Sequence, residues 1–294
     1  MRIAIASGKG GAGKTTLTAS LHQSWPRPHV MADTDVEAPN LHLFLHPVME
    51  RSIDVALSVP AAVNAACTSC GQCRDICHYG GIARFGNKIT LFPDMCHGCG
   101  GCFVVCPEHA LEEGRRALGT VELGHLADGT LYVSGATRIG EVMTPPLLRR
   151  LLAELDLATQ GQDVDMLLDS PPGVSCPAIT VARRVDAVLL VVDPTPFGLA
   201  DFRIAFAAFS ALHLPLAVVI NRAHMPGNEG GEAAVADFCA GHGLPIVGVL
   251  PFSREAAHVL AQGEPLVATG SQWQTLFAAL AQKILHVFGG AANV

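Results

Sequence analysis

Residues 6–16 read "ASGKGGAGKTT", and they decide the fold. Gly8, Gly13, Lys14 and Thr15 fit G-x-x-x-x-G-K-[ST], between an apolar run (2–6, "RIAIA") and a helix-forming run (14–25, "KTTLTASLHQSW"). In that context glycines let backbone N–H groups curl around a phosphate, and the helix N-terminus adds positive potential. Gly10, Gly11, Ala12, Gly13, Lys14, Thr15 and Thr16 are the phosphate-binding candidates. Lys14 is expected to reach the β- and γ-phosphates of a nucleotide, and Thr15 to ligate Mg²⁺.

Outward from this loop the chain alternates strand and helix. Strands are expected at 29–33 ("HVMAD"), 165–169, 186–193, 216–221 and 245–250, each a continuous apolar run. Such runs suit parallel strands buried on both faces. Helices are expected at 145–158, 200–212, 229–241, 253–262 and 272–288. The pattern predicts an α/β class, a doubly wound and mostly parallel sheet with ligand chemistry at the carboxyl ends of its strands. Those ends carry Asp33 and Asp35 in "DTDVEAPN", Asp169 and Gly173 in "DSPPG", and Asn221 with Arg222 after "LAVVI".

Composition agrees with a large folded core: 294 residues, 50% hydrophobic and 15% charged. The formal charge of −7, without a Lys/Arg-rich run, argues against a nucleic-acid partner. The sequence carries no secretory leader pattern, and Pro215 interrupts its longest apolar stretch. A cytoplasmic location is expected.

Residues 61–115 break the rhythm. Eight of the ten cysteines fall there, and Cys67, Cys70, Cys73 and Cys77 recur 29 residues on as Cys96, Cys99, Cys102 and Cys106. Each run has the spacing C-x2-C-x2-C-x3-C. Clustered cysteines in a long, otherwise Cys-poor chain indicate metal rather than disulfides. Two zinc sites of four thiolates each fit the count, while the repeat and the glycine-rich "CHGCGGC" favour iron–sulfur clusters. The domain reading is a discontinuous nucleotide-binding domain (1–60 and 116–294) carrying a small α+β insert (61–115), with the chain leaving the sheet after its second strand and returning near 130–135. Cys176 is expected to be a buried structural thiol and Cys239 a core residue.

"KGGAGKTT" resembles the deviant Walker A loop of the MinD/ParA/Mrp superfamily. The resemblance implies an ATPase that converts ATP to ADP and phosphate, with Lys9 acting across a dimer on the partner's nucleotide. It implies that Asp35 positions the attacking water, that Asp33 supports the phosphate side, that Asp169 holds Mg²⁺ through water and that Gly173 senses the γ-phosphate. Asn221 is implied as the reader of adenine, beside Arg222 and the segment 251–267.

The cysteine window is similar to bacterial two-cluster ferredoxins. In these, three cysteines of each run hold one [4Fe–4S] cluster and the fourth holds the other. That implies Cys67, Cys70, Cys73 and Cys106 for one cluster, and Cys96, Cys99, Cys102 and Cys77 for the second. The first run departs from the pattern, with His78 where a proline is usual. The combination resembles ferredoxin-containing ATPases of anaerobes, some associated with the orange protein complex. It implies a homodimer, or a heterodimer with a paralogous ATPase. The function implied is gating of electron transfer or docking by nucleotide; cluster assembly into a client and cargo positioning are the rivals. No C-x-x-C pair lies outside the insert, unlike Mrp-type carriers, and the last helix is not the basic amphipathic anchor of MinD.

Overall fold

The structure is a computed structural model, and it describes residues 1–291. In chain order the strands are β1 (Arg2–Ala6), β2 (His29–Asp33), β3 (Val48–Val63), β4 (Ile82–Phe85), β5 (Lys88–Leu91), β6 (Leu111–His125), β7 (Leu131–Thr137), β8 (Asp165–Asp169), β9 (Ala187–Val192), β10 (Leu216–Ala223) and β11 (Ile246–Pro251). The helices are α1 (Lys14–His22), α2 (His42–Leu45), α3 (Gln72–Asp75), α4 (Gly101–Val105), α5 (Pro145–Ala158), α6 (Cys176–Ala182), α7 (Pro196–Ser210), α8 (Gly231–Gly241), α9 (Arg254–Ala261) and α10 (Ser271–Ala291).

Nine strands form one sheet in the order β11-β10-β9-β1-β8-β2-β7-β6-β3. The pairs from β11 to β7 are parallel. Every residue of β8 and β9 is buried, which explains why these strands read as unbroken apolar runs. Strand alternation sends Ile3 and Ile5 of β1 into a core shared with Leu17 and Leu21 of α1 and with Trp273, Phe277 and Ile284 of α10. This packing fixes α1 against the sheet and therefore fixes the loop that precedes it.

Two sequence expectations change. The chain does not leave the sheet after β2, because β3 and β6 belong to it. β3 alternates Ile53, Val55, Leu57 and Val59 with smaller or polar residues, a period-two pattern suited to a half-buried strand. Helix α7 starts at Pro196, earlier than 200: Thr195 caps it, its hydroxyl accepting the Gly198 N–H at 3.1 Å, and proline is tolerated in the first turn.

The chain divides into two compact units. The first contains Met1–Ser52, Val121–Ala136 and the chain from Leu148 onward; the second contains Ile53–Thr120 and Thr137–Leu147. Positions 60 and 116, the sequence-based boundaries, both fall inside strands, β3 and β6. In the second unit β4 and β5 pair antiparallel, and Cys73, Ile82, Ile89 and Cys102 form its small core.

Candidate functional site

The first unit builds a glycine-rich loop at the carboxyl end of β1. Gly11 and Gly13 take left-handed backbone angles, φ 78° and 102°, which glycine adopts without steric cost. Gly13 precedes α1, and no side chain caps that helix, so its first N–H groups stay free for an anion. A Cβ on Gly13 would lie 2.2 Å from the Asn221 amide nitrogen, so the loop also needs glycine for close packing.

Lys14 is buried, and desolvation lowers its pKa, with Asp169, Asp35 and Asp33 pulling the other way. Thr15 donates its hydroxyl to Asp169 Oδ2 at 2.6 Å. Asp169 is fully enclosed; burial first, and then the charge of Asp33, raises its pKa well above the ordinary carboxylate range. Its other oxygen, Oδ1, is buried without a hydrogen-bond partner. Asp35 is half-buried and its pKa is raised, chiefly by desolvation. Three carboxylates therefore crowd one lysine, with an orphaned oxygen among them. That donor set fits a divalent cation held by Thr15 and Asp169, since hard cations take oxygen ligands.

Asp33 has a more specific task than support near phosphate. Its Oδ1 accepts the Asp35 N–H at 3.1 Å, and its Oδ2 accepts the N–H groups of Asn40 and Leu41 at 2.9 Å each. It folds the 34–41 loop around itself and so sets the position of Asp35. Burial nevertheless moves its pKa from 3.8 to about 7. The second loop is tied in as well: Thr34 donates both its N–H and its hydroxyl to the Asp169 carbonyl, and Gly173, φ 75°, donates its N–H to the Ser7 carbonyl at 2.9 Å.

Asn221 donates from its side-chain amide to the Ala12 carbonyl at 2.8 Å. It lines a cavity of about 100 Å³ with Arg222, Thr16, Phe252, Leu260 and Trp273. Three of these are apolar or aromatic, which suits a flat heterocycle.

Sequence reasoning missed Asp193. Its Oδ2 lies 3.5 Å from Lys9 Nζ and 3.6 Å from an Arg222 guanidinium nitrogen. The signal was present, because Asp193 ends the apolar run of β9 just as Asp169 ends that of β8.

In the second unit the thiols sort into two cavities. One is lined by Cys77, Cys96, Cys99 and Cys102. The other is lined by Cys67, Cys70, Cys73 and Cys106. The grouping crosses the two sequence runs. Burial pushes the Cys73 and Cys102 thiols up; neighbouring Cys106 and Cys67 add to the first, and Cys96 and Cys99 to the second. Backbone N–H groups reach sulfur: Gly98 to Cys96 Sγ at 3.4 Å, and Ala110 to Cys106 Sγ at 3.3 Å. Gly71, Gly98 and Gly100 all have positive φ. All ten cysteines are free, and Cys176 is exposed rather than buried, while Cys239 is buried. Among the described residues no three His, Cys, Asp or Glu side chains converge as ligands of one metal ion would.

With this geometry in place, comparison with known proteins is decisive for the first unit. The CobQ/CobB/MinD/ParA nucleotide-binding domain family matches residues 3–266. The chain belongs to this family. An uncharacterized protein of Methanocaldococcus jannaschii is 31% identical over 205 residues, covering 68% of this chain and 70% of its own length. A second from the same organism is 26% identical over 228 residues, covering 76% and 80%. An iron-sulfur cluster carrier protein of Aquifex aeolicus is 31% identical over 161 residues, 50% of this chain and 44% of its own. Among solved structures, the septum site-determining protein MinD complexed with Mg-ADP from Pyrococcus horikoshii OT3 superposes with a TM-score of 0.56. That likeness, at 18% identity over 100% of this chain and 99% of that one, concerns the fold. Among the described residues no helix is long and apolar enough to cross a membrane.

Proposed function

We propose that the chain is an ATP-hydrolysing iron–sulfur protein in which a nucleotide-controlled dimer gates electron transfer, or the docking of a redox partner, through two [4Fe–4S] clusters. The observation that carries this reading is the crossed grouping of eight cysteines into two four-thiol cavities. Four thiols around each cavity, with glycine backbone and N–H groups close to sulfur, support a cubane cluster in each. One zinc ion would draw its thiolates to about 2.3 Å from a single point. Each bound cluster would supply storage of one electron.

The residues of the first unit account for hydrolysis. Loop amides and Lys14 hold the phosphates and offset their charge. Thr15 and Asp169 hold Mg²⁺. Asp35 orients water in line with the γ-phosphate, and burial makes its carboxylate a better proton acceptor. The apolar cavity beside Asn221 takes the adenine. Lys9, paired with Asp193 in the single chain, moves to the partner's nucleotide in a dimer, whether the partner is a second copy or a paralogue.

Anaerobic reconstitution followed by EPR of the reduced chain, with and without Mg-ATP, tests the proposal. Two cluster signals, and a nucleotide-dependent change in potential or in partner affinity, are expected. A chain that hydrolyses ATP but takes up no iron and sulfide overturns the iron–sulfur part. The likeness to an iron-sulfur cluster carrier supports a second reading, cluster delivery. Transfer of iron and sulfide to an apo-acceptor distinguishes it from electron gating.

A further inference from the structure

The two cysteine runs begin with the same turn. The Cys67 and Cys96 N–H groups donate to the carbonyls of Asn64 and Pro93, which are repeat equivalents, at 3.2 and 3.0 Å. What holds the turn differs between the runs. Asn64 ties the first in locally: its N–H donates to the Ala110 carbonyl at 2.9 Å, and its Oδ1 accepts the Ala66 N–H at 3.0 Å. Pro93 has neither a backbone N–H nor a side-chain acceptor. The second turn keeps one backbone tie, from the Phe92 N–H to the Gly81 carbonyl at 2.8 Å. Two arginines from beyond the cysteine runs add the rest by gripping Asp94. Arg116 of β6 donates to the Asp94 carbonyl, and Arg138 donates to the Asp94 carboxylate at 3.1 Å. Glu141 joins them: its oxygens lie 3.5 Å from an Arg116 nitrogen and 3.6 Å from Arg138 Nε. Its Oε1 also accepts the Val142 and Met143 N–H groups at 3.0 and 2.8 Å, which fixes Glu141 to its own loop.

We propose that Arg116 is a positioning residue for Cys96, so that loading of the Cys77/Cys96/Cys99/Cys102 site depends on it while the Cys67/Cys70/Cys73/Cys106 site does not. This rests on the cluster reading above. A ligand sulfur must sit at a fixed point, and the groups that hold its backbone set that point. Cys96 follows Asp94 by two residues and lines one cavity only. The Arg116 and Glu141 side chains are 7% and 1% exposed, and Arg116 Nε and Glu141 Oε2 are buried without hydrogen-bond partners. A buried ion pair with unmet atoms contributes little net stability, because desolvation offsets the attraction. Its effect is directional. Glu141 holds one nitrogen of the planar guanidinium, and the rigid fork aims the other at the Asp94 carbonyl.

The test uses the full chain and has two readouts. Without clusters and under reducing conditions, iodoacetamide alkylation of each cysteine is followed by peptide mass spectrometry. After anaerobic reconstitution, iron, sulfide and the EPR signals of the reduced chain are measured. Arg116→Met should raise the alkylation rate of Cys96 severalfold relative to Cys67, lower iron and sulfide by about half, and remove one EPR signal of two. Asn64→Ala, at the equivalent turn, should reverse the preference, raising Cys67 and sparing Cys96. A native pattern in Arg116→Met overturns the proposal, and so does equal acceleration of Cys67 and Cys96, which marks general loosening of the unit. If Arg116→Met does not fold, the isosteric Glu141→Gln, which removes the counter-charge, should show the same selectivity with a smaller effect, and its absence there overturns the proposal equally. A native chain that takes up neither iron nor sulfide refutes the cluster reading itself, whereas alkylation of the cluster-free chain still decides whether Arg116 positions Cys96.

Discussion

At the nucleotide site Asp33, Asp35 and Asp169 surround one buried lysine, and burial raises all three carboxyls. In the thiol unit eight cysteines divide evenly into two sets, and burial pushes up the thiols of Cys73 and Cys102. Both regions concentrate groups that must be deprotonated to act, in surroundings that resist deprotonation. The first relieves the strain in part with its own backbone, through three N–H groups on Asp33. The second also brings backbone N–H groups to sulfur, on Cys73, Cys96, Cys102 and Cys106. Both regions gain from a bound cation, which favours their ionised groups, and the first already holds one positive charge in Lys14.

The largest effects should separate the two regions. Asp35→Asn should lower kcat for ATP at least about 100-fold, the scale of a positioned general base, with KM little changed and iron content intact. A steady-state assay with iron analysis checks this, and parallel loss of iron would break the separation. Next, the crossed grouping predicts that a Cys67→Ser, Cys106→Ser double variant loses one cluster, while Cys67→Ser with Cys77→Ser loses both. Equal loss in the two variants, by iron and sulfide content, would undo the crossing.

A smaller effect concerns pH. The Asp33 pKa is raised from 3.8 to about 7, so the folded state holds its proton more tightly than the unfolded chain. That stability is fully present below about 3.8 and is lost as pH rises through about 7. The ligand-free chain should lose up to a few kcal/mol over this window, and Mg-ATP should recover part of it. Thermal melts across the window check the sign; Asp33→Asn should flatten the profile. The smallest effect is local: the Ser253 hydroxyl accepts the Ala256 N–H at 3.1 Å and caps α9. Ser253→Ala should cost about 1 kcal/mol and leave cluster loading unchanged.

The phosphate loop was legible because its chemistry is local: Gly13, Lys14 and Thr15 must be consecutive for one helix N-terminus to carry them. The parallel strands were legible because burial on both faces forces continuous apolar runs. β3 and β6 were not, because they pair with one another across the whole cysteine segment and their apolar residues alternate with polar ones beside a turn-rich stretch. The loop-tethering work of Asp33 was hidden for a similar reason. It depends on Asn40 and Leu41 curling back onto a side chain seven and eight residues earlier. Nothing in the spacing of "DTDVEAPN" distinguishes a carboxylate that faces a phosphate from one that binds its own loop.

By itself, the sequence determined the class of fold, the glycine-rich loop that leads into α1 and the existence of two equivalent runs of cysteines. Each of these is written in neighbouring residues or in a fixed repeat, where short-range geometry leaves little choice. Only the tertiary structure decided that Asp193 meets Lys9, that Asp169 keeps an unpartnered oxygen beside Thr15, and that Tyr79 and Glu108 face different cavities. Those facts depend on which strands lie side by side and which side chains are denied water, and packing across the whole chain sets both.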